Sequence, residues 1–337
     1  MEVSRTHRRI AVVESSQPSA GRFAARDAAE RAGLNEEDSY RAGLIATELA
    51  TNLVKHATGG ELLVREIVGS PRGEVELLAI DRGPGMSNLS RSMTDGHSTA
   101  GSAGTGLGAV RRLADDFDIY SEQTRGTVVL ARVRAARNRQ PRSRSFSVGA
   151  VSVAMNGEPV CGDGWQVLQR RESALVIVAD GLGHGLQASE ASRAAIGTFD
   201  SAQAGDLTER LRTMHDALRH TRGAAAAVAE IFLHSRLVKF AGIGNISGTI
   251  HRPGLTRHTV SLNGTLGHEA RTFREYSYPW ESDAMFVMHS DGLGTHWSLD
   301  DYRGLQHRHP AIVAAVLYRD FSRQRDDVTV VVGREAA

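Results

Sequence analysis

Apolar residues near the start of the chain recur at helical spacing. In residues 19–34, and again in residues 36–57, they return about once per turn, so both stretches predict amphipathic helices. The apolar face of the second stretch consists of Leu44, Ile45, Leu49 and Leu53. Two helices are therefore expected before the first strand-like segment.

Short apolar runs of strand length follow these helices. Residues 61–69, 74–81 and 126–133 are rich in Val, Leu and Ile and predict strands. Residues 106–117, GLGAVRRLADDF, predict another helix, which comes after a long loop rich in Gly, Ser and Thr. A loop of that length inside a compact domain is usually functional. The pattern predicts an α/β sandwich with a long loop over one edge.

Strand-like segments dominate the second half of the chain. They are residues 145–155, 164–180, 226–234, 237–244, 245–251, 283–291 and 327–333. Helices are expected at 185–202, 205–219 and 309–319. This order fits two packed sheets with flanking helices, so the fold class of the whole chain is expected to be α+β.

An arginine-rich segment separates the two halves. Residues 132–145, RVRAARNRQPRSRS, contain a proline and few apolar residues, which is typical of a linker. The segment has no aromatic side chains that could stack on bases, so a solvated connector is favoured over a nucleic-acid patch. We therefore expect domains at residues 1–134 and 146–337, joined by residues 135–145.

Length, charge and cysteine content narrow the class of protein. The chain has 337 residues, enough for two domains, and a formal net charge of +1, which gives no general attraction to nucleic acid or membranes. Its one cysteine, Cys161, excludes a disulfide framework. The charged N-terminus does not have the pattern of a signal peptide, and no apolar run is long enough to span a bilayer. We expect a cytoplasmic protein without nucleic-acid or membrane partners.

Three motifs in the first domain suit a nucleotide. Glu48 and Asn52 lie four residues apart and so share one face of a helix. Asp81 ends a strand in DRGPGM, where Gly83 and Gly85 form a tight turn. In GTGLG, three glycines precede a helix whose N-terminus can face phosphates. These glycines are Gly104, Gly106 and Gly108.

This arrangement resembles the GHKL ATPase family, and residues 8–134 resemble in particular its RsbT-like anti-sigma-factor kinases. The resemblance implies a Bergerat α/β sandwich that binds ATP and Mg²⁺. Asp81 would accept a hydrogen bond from the adenine amino group, Asn52 would hold Mg²⁺, and Glu48 would act as general base. The two glycine loops would wrap the nucleotide.

Four acidic residues of the second domain stand at strand ends or beside glycines. They are Asp163, Asp180, Asp291 and Asp326. Carboxylates at apolar strand ends are costly to bury unless cations pair with them, and ligation by oxygen alone suits Mg²⁺ or Mn²⁺. Two such ions could share an acid and activate a bridging water toward a phosphoester. Gly181 could add a carbonyl ligand. Asp327 is an alternative to Asp326, because alternation along a strand turns only one of them inward.

The acidic pattern resembles the SpoIIE/RsbX-like branch of the metal-dependent Ser/Thr protein phosphatases, over most of the second domain. The resemblance implies an α-β-β-α sandwich with two Mn²⁺ or Mg²⁺ ions. Asp180 would bridge the ions, and Asp163, Asp291 and Asp326 would complete their shells. Hydrolysis is expected to depend on Asp180 and Asp291. His184, in the motif VADGLGHG, is a candidate phosphate contact.

Together the two resemblances imply a signalling switch. The first domain would be a Ser/Thr protein kinase and the second a phosphoserine or phosphothreonine protein phosphatase. The implied partners are STAS-domain anti-sigma antagonist proteins, with a sigma-regulating protein as a further candidate. The alternative is that only the second domain is catalytic, while the first senses ATP or binds a partner or a sigma factor. Glu48 favours the kinase, because a pure binding module needs no general base.

Overall fold

The computed structural model of the chain describes residues 2–3, 6–14, 16–57, 60–67, 73–87, 106–135, 145–201 and 206–336. The chain divides into two compact units. One is His7–Arg142, and the other is Met1–Thr6 together with Ser143–Ala337. The start of the chain thus differs from the expected domain 1–134. Strand β1 (Glu2–Val3) explains the difference, because it pairs with a strand of the second unit.

The first unit is a five-stranded antiparallel sheet with helices on one face. Its elements are β2 (Arg8–Val12), α1 (Gln17–Arg31), α2 (Glu36–His56), β3 (Gly60–Ile67), β4 (Glu74–Ile80), α3 (Gly106–Leu113), β5 (Asp116–Glu122) and β6 (Gly126–Arg134). The strand order in the sheet is β2-β3-β4-β6-β5. A core of buried apolar side chains lies between the helices and alternate residues of the strands. The expected α/β sandwich is confirmed for this unit.

Helix α2 carries the predicted Glu48 and Asn52 and begins at a well-defined cap. The Asn35 side chain accepts a hydrogen bond from the backbone N–H of Asp38 at 2.8 Å, and acidic residues in the first turn complement the positive end of the helix dipole. Leu49, one residue after Glu48, is buried in the core. The buried apolar face of α2 therefore holds the helix against the core. Glu48 and Asn52 lie beside that face and are half-buried.

The sequence pattern is wrong about two parts of this unit. The helix expected at 106–117 ends at Leu113, and DFDIYSE forms strand β5, which pairs along its length with β6. Between them, the Asp115 carboxylate accepts hydrogen bonds from the Arg41 side chain and the Arg134 backbone, which ties the turn to the sheet. Strand β2 was not expected either, because only three of its five residues are apolar.

The second unit is a sandwich of two antiparallel sheets. Its elements are β7 (Phe146–Val153), β8 (Asp163–Gln169), β9 (Ser173–Gly181), α4 (Leu186–Ser201), α5 (Leu207–Ala217), β10 (Ala224–Phe232), β11 (Leu237–Ile243), β12 (Ser247–Arg252), β13 (Leu255–His258), β14 (Tyr276–Pro279), β15 (Met285–His289), α6 (Pro310–Phe321) and β16 (Val328–Glu335). The sheet orders are β1-β8-β9-β10-β11-β14 and β13-β12-β15-β16-β7. Helices α4 and α5 pack on the first sheet and α6 on the second, so the expected α-β-β-α architecture is confirmed.

The single strand expected at 164–180 is a hairpin. Strands β8 and β9 are antiparallel, and the backbone N–H of Arg170 donates a hydrogen bond to the Ser173 carbonyl at 2.8 Å in the turn. The turn sequence RRE contains neither Gly nor Pro, so the pattern gave no sign of it. The hairpin has a functional consequence, because its register places Asp163 directly opposite Asp180.

The longest helix of the described segments is α2, with 21 residues. None of the helices in those segments is both long enough and apolar enough to cross a bilayer.

Candidate functional sites

The centre of the second unit is a pair of facing carboxylates. Asp163 is the first residue of β8, Asp180 is the last but one of β9, and the two are direct cross-strand partners. Like charges at such positions repel each other and destabilise a sheet. Asp163 is buried and Asp180 is half-buried, so water screens this repulsion poorly. A pair of this kind is compatible with the cation site that the sequence predicts.

Ser290 connects this pair to the second sheet. Its hydroxyl donates a hydrogen bond to Oδ2 of Asp163 at 2.6 Å and accepts one from the backbone N–H of Thr329 at 3.0 Å. Because Ser290 follows β15 and Thr329 belongs to β16, the hydroxyl holds one carboxylate of the first sheet against the end of the second. The sequence analysis did not identify Ser290, and its position next to Asp291 is the only signal that could have suggested it.

Asp291 and Asn245 form the next contact of the centre. Nδ2 of Asn245 donates a hydrogen bond to Oδ2 of Asp291 at 2.7 Å. Both residues lie just beyond strand ends, Asn245 after β11 and Asp291 after β15. In the sequence, Asn245 is only the first residue of the strand predicted at 245–251, and no role was predicted for it. The asparagine amide fixes the orientation of this carboxylate.

The two neighbouring acids before β16 have different environments. Oδ1 and Oδ2 of Asp327 accept hydrogen bonds from the backbone N–H groups of Met155 and Gly162, each at 2.8 Å, and the side chain is buried. Asp326 is half-buried and accepts a hydrogen bond from the backbone N–H of Asp327 through Oδ1 only. The geometry therefore favours a structural role for Asp327 and leaves Asp326 as the ligand candidate.

Burial and mutual repulsion raise the pKa values of three of these carboxyl groups. Burial raises the pKa of Asp180 to about 9, with further repulsion from Asp163, Asp291 and Asp326. Burial also raises the pKa of Asp163 to about 7, although the hydrogen bond from Ser290 lowers it. The pKa of Asp291 is raised by burial and by Asp326. The acids are thus close enough to act on one another, and without a cation the centre retains protons near neutral pH.

Gly181 lies where helix α4 approaches strand β9. A Cβ atom on Gly181 would lie 2.0 Å from the carbonyl oxygen of Ala188, so no other residue fits this position. The glycine lets α4 pack directly against the strand that carries Asp180. Its predicted carbonyl ligation stays a prediction.

The chemistry of the donor atoms fits a hard divalent cation. In the described segments, no group of three or more histidine, cysteine or acidic side chains is arranged to hold a metal ion. The acids nevertheless offer only oxygen atoms, which Mg²⁺ and Mn²⁺ prefer. Their raised pKa values also mean that a cation would replace bound protons and relieve the repulsion between Asp163 and Asp180.

The predicted nucleotide pocket of the first unit is built around Asp81, which follows β4. Its Oδ1 atom accepts hydrogen bonds from the backbone N–H groups of Gly83 at 2.7 Å and Thr127 at 3.1 Å. Gly85 has a φ of 69°, and a Cβ there would lie 2.1 Å from the carbonyl oxygen of Glu122. The carboxylate and the glycines therefore define a tight turn against β5 and β6.

Residues that sequence analysis missed close this turn. The backbone N–H of Met86 donates a hydrogen bond to Oγ of Ser121 at 2.8 Å, and that hydroxyl lies 2.9 Å from Oγ1 of Thr127. The pair Gly126–Thr127 was visible only as the start of a predicted strand. Its strand pattern does not show that Thr127 reaches back to Asp81 across 46 residues.

Asn52 has an unsatisfied polar atom. Nδ2 of Asn52 is buried and has no hydrogen-bond partner among the described residues. An orphaned amide of this kind suits a phosphate oxygen, and a flip of the amide would instead present the oxygen to Mg²⁺. Four residues away, Glu48 is half-buried on the same helix. Both positions fit the nucleotide interpretation.

The glycines of GTGLG are only partly described. Gly106 begins helix α3, and a Cβ there would have no atom within 4 Å among the described residues. Gly108 is buried within α3. Gly104 lies outside the described residues. The helix thus begins where the sequence predicts a phosphate-binding N-terminus.

The comparisons with known proteins assign each half to a family. Residues 14–133 match the histidine kinase-like ATPase domain, and residues 170–334 match stage II sporulation protein E, SpoIIE. The first half is similar to the serine/threonine-protein kinase RsbT of Bacillus subtilis, with 32% identity over 112 residues, which are 33% of this chain and 84% of that protein. The second half is similar to the phosphoserine phosphatase RsbX of Bacillus subtilis, with 24% identity over 181 residues, which are 53% of this chain and 89% of that protein.

Two of the solved structures that are similar to this chain each cover a little more than half of it. A chain from a study of the bacterial stressosome as a modular system has 28% identity and a TM-score of 0.52, covering 56% of this chain and 99% of that one. RsbX in complex with magnesium has 20% identity and a TM-score of 0.51, covering 58% of this chain and 98% of that one. The latter shows a shared fold.

These matches confirm the expected combination of a kinase-type and a phosphatase-type domain in one chain. The roles of individual site residues stay predictions. In its N-terminal part the chain belongs to the RsbT family of histidine kinase-like ATPase domains, and in its C-terminal part residues 170–334 match the SpoIIE family.

Proposed function

We propose that this chain is a bifunctional signalling enzyme. Its C-terminal domain removes phosphate from phosphoserine or phosphothreonine of a partner protein, and its N-terminal domain transfers phosphate from ATP to a serine or threonine. The observation that carries the proposal is the facing pair Asp163 and Asp180, with Asp291 and Asp326 close enough to raise its pKa values. Because ATP is a proposed substrate, we expect the protein to act in the cytoplasm.

The phosphatase would depend on two Mn²⁺ or Mg²⁺ ions at the acidic centre. Asp180 would bridge them, Asp163, Asp291 and Asp326 would complete the ligand set, and Gly181 would contribute its carbonyl oxygen. Such ions lower the pKa of bound water and neutralise the charge of a phosphoester. The contribution of the chain is to hold the carboxylates in place, through Ser290 on Asp163 and Asn245 on Asp291.

The kinase would use the turn around Asp81 and the face of helix α2. Asp81 would receive the adenine amino group, and the glycine turns would surround the nucleotide. Asn52 would hold Mg²⁺ and Glu48 would accept the proton of the attacking hydroxyl. Phosphoryl transfer needs positioning and charge neutralisation more than covalent help, so this small set of groups is sufficient.

The proposed partners are STAS-domain anti-sigma antagonist proteins. The proposal is supported by the names of the relatives, a phosphoserine phosphatase and a serine/threonine-protein kinase, and by the stressosome study that contains a similar chain. Opposed activities in one chain would be productive if they act on different partners. A sigma-regulating protein is a further candidate partner.

Hydrolysis of p-nitrophenyl phosphate tests the phosphatase. We expect hydrolysis that a chelator removes and Mn²⁺ restores, and that is lost in Asp180→Asn. Asp283→Asn is the matched control, because this exposed aspartate pairs with Arg252 on the surface. Activity that persists in Asp180→Asn after chelation would exclude the metal-centre mechanism.

Transfer of radiolabelled γ-phosphate from ATP to a STAS protein tests the kinase. We expect labelling by the wild type and its loss in Glu48→Ala, while Glu37→Ala, an exposed change at the start of the same helix, keeps it. If the wild type binds ATP but labels no STAS protein, the N-terminal domain is a nucleotide-sensing or partner-binding module and the kinase proposal fails.

A further inference from the structure

Two leucines of the second unit lie exposed beside the acidic centre. Leu182 follows β9 directly, and Leu186 is the first residue of α4. Their exposed fractions are 43% and 65%, whereas most large apolar side chains of the described segments are buried. Exposed apolar side chains that are grouped at one place mark protein–protein interaction sites. Neither the acidic centre nor the nucleotide pocket uses this pair.

An arginine is held next to the loop that carries these leucines. The backbone N–H of Leu182 donates a hydrogen bond to the Gly223 carbonyl at 3.0 Å, which joins the loop to the turn between α5 and β10. In that turn, Nη1 of Arg222 lies so near the loop that a Cβ on Gly183 would be 3.0 Å from it. The two apolar side chains and the guanidinium thus lie on adjoining segments. We call Leu182, Leu186 and Arg222 the leucine–arginine patch.

The turn that carries Arg222 is fixed by its neighbours. Gly223 has a φ of 82°, in the left-handed region that favours glycine, and a Cβ there would lie 2.6 Å from the carbonyl oxygen of Leu266. Nε2 of His268 lies 3.2 Å from the carbonyl oxygen of Thr221. The fold therefore sets the backbone position of Arg222 on both sides of the residue.

The sheet register places the patch at the same sheet edge as the acids. Asp180 is paired with Asp163 of β8 on one side and with Ala225 of β10 on the other. The loop after β9 and the turn before β10 therefore leave the sheet at the end where the two carboxylates face each other. Residues that flank a phosphoserine bound at these acids come close to the patch.

Arg222 carries an unpaired positive charge, unlike other arginines near the surface of this unit. The paired ones are Arg219 with Asp216, Arg236 with Glu335, and Arg252 with Asp283. Arg222 is exposed and forms no ion pair with any of the described residues. The nearby acid Glu158 instead contacts Nδ1 of His184 at 2.6 Å. A guanidinium that stays free beside a cluster of acids is available to a group of the substrate.

We infer that the leucine–arginine patch binds the partner segment that carries the phosphoserine, and that it selects a segment with an acidic and an apolar residue beside the phosphoserine; this inference rests on the proposed phosphatase function. A carboxylate of the partner pairs with the guanidinium of Arg222, whose planar fork suits two parallel hydrogen bonds. An apolar side chain of the partner covers Leu182 and Leu186 and removes their surface from water. The acidic centre supplies hydrolysis, and the patch supplies the choice of substrate.

Three phosphoserine peptides test the charge preference. They differ only in whether the residues beside the phosphoserine are acidic, neutral or basic, and each contains one leucine. For the wild type with saturating Mn²⁺, we expect kcat/KM to be about fivefold higher on the acidic peptide than on the neutral one, as for an exposed ion pair. Arg222→Gln should remove this preference, and Arg222→Glu should reverse it in favour of the basic peptide. A merely structural role of Arg222 predicts no reversal.

Leu186→Ser tests the apolar part of the patch. We expect kcat/KM on the acidic peptide to fall about tenfold, and to fall much less on a peptide whose leucine is replaced by serine. p-Nitrophenyl phosphate has no flanking residues, so Leu186→Ser and Arg222→Gln should each change its hydrolysis less than about twofold. The matched controls are Arg219→Gln, three residues before Arg222, and Val260→Ser, an exposed valine of the same unit. They should change none of these values.

The outcomes distinguish this inference from the function on which it rests. If the wild type hydrolyses neither p-nitrophenyl phosphate nor any peptide with Mn²⁺, the proposed phosphatase function fails and the inference fails with it. If the wild type hydrolyses all peptides equally, only the assignment of the patch is overturned. The same holds if Arg222→Gln weakens hydrolysis of p-nitrophenyl phosphate as much as that of the acidic peptide, because the arginine would then bind the phosphate itself. Thermal melting identifies variants that unfold, and a folded Arg222→Glu without reversed preference contradicts the inference.

Discussion

In the acidic centre the candidate ligands are side chains at strand ends, whereas the predicted nucleotide pocket consists of one carboxylate and a series of backbone turns. Asp163 and Asp180 face each other within a sheet, and their repulsion raises their pKa values. Asp81, by contrast, already receives two backbone hydrogen bonds and defines a turn. The first site is electrostatically unsatisfied, and the second is largely satisfied by its own backbone.

This difference shows what each site needs from its ligand. A cation at the acidic centre would relieve repulsion that the fold itself creates, so metal binding there would be coupled to folding. At the nucleotide pocket the clearest unsatisfied atom is Nδ2 of Asn52, and the remaining contacts depend on shape. We therefore expect substitutions at the acidic centre to weaken metal binding by removing charge. Substitutions at the nucleotide pocket should instead weaken nucleotide binding by changing the shape and hydrogen bonds of the site.

The largest expected effect is that of Asp291→Asn on the phosphatase. Loss of an outer partner of a metal ligand already costs about 10-fold to 100-fold, so removal of a ligand charge should reduce hydrolysis of p-nitrophenyl phosphate by more than about 100-fold. ATP affinity, measured by titration calorimetry, should not change. Equal losses of both functions would contradict the assignment of two chemically separate sites.

A smaller effect is expected for Asp81→Asn on nucleotide binding. Hydrogen bonds to charged groups contribute roughly 1.5–3 kcal/mol, so ATP affinity should fall about 10-fold to 100-fold. Hydrolysis of p-nitrophenyl phosphate should stay at the wild-type level. Asp118→Asn, a change on β5 of the same sheet, is a control for general effects on the first unit. Unchanged ATP affinity in Asp81→Asn would remove Asp81 from the pocket.

Asp326 and Asp327 provide a comparison within the acidic centre. Asp327→Asn leaves one acceptor oxygen for two backbone donors, so the free energy of unfolding should fall by about 1–3 kcal/mol. Asp326→Asn should change stability by less than about 0.5 kcal/mol and yet lower Mn²⁺-dependent hydrolysis, by no more than Asp291→Asn does. Urea unfolding followed by tryptophan fluorescence reports on this unit alone, because Trp165, Trp280 and Trp297 all belong to it. The opposite assignment of the two effects would make Asp327 the ligand.

The four acids and the main nucleotide residues are predicted from the sequence alone. Asp163, Asp180 and Asp291 each stand next to a glycine, and Asp180 and Asp291 follow apolar runs, a local pattern that needs no knowledge of the fold. Asp81 followed by Gly83 and Gly85 is equally local. Such patterns can be recognised in the sequence because strand ends and tight turns are determined by neighbouring residues.

The groups that hold these residues in place could not be found in this way. Ser290 reaches Asp163 across 127 residues, and Asn245 reaches Asp291 across 46, so only the sheet topology brings each pair together. The first two residues of strand β5, Asp116 and Phe117, were predicted as helix because they end the segment GLGAVRRLADDF. Pairing with β6 overrides that local preference.

The smallest expected effect concerns pH and separates the two sites most directly. In the metal-free protein, Asp163 and Asp180 keep protons that the unfolded chain releases near pH 4, because burial and repulsion raise their native pKa values. The native state therefore binds more protons than the unfolded state, and the free energy of unfolding falls as the pH rises toward the native pKa values of these two acids. Glu76, in the first unit, has the opposite shift: its pKa is lowered by Arg65 and Arg132 against the effect of burial, so its contribution is lost only in acid.

We expect chelated protein to unfold at lower urea concentration at pH 8.5 than at pH 7, by up to about 1.4 kcal/mol per pH unit for one proton. Burial lowers the pKa values of His251 and His289, so these residues affect stability below the range of pH 7 to 8.5. Burial also raises the pKa of Cys161, so this thiol lowers the free energy of unfolding near pH 8.5. Asp180→Asn retains the cysteine, so this contribution is the same in the variant and in the wild type. The variant should therefore show a flatter pH dependence than the wild type, and Mn²⁺ should stabilise the wild type more at pH 8.5. Equal slopes in both proteins would mean that Asp180 is already ionised without a metal, and the contrast between the two sites would then lose its electrostatic basis.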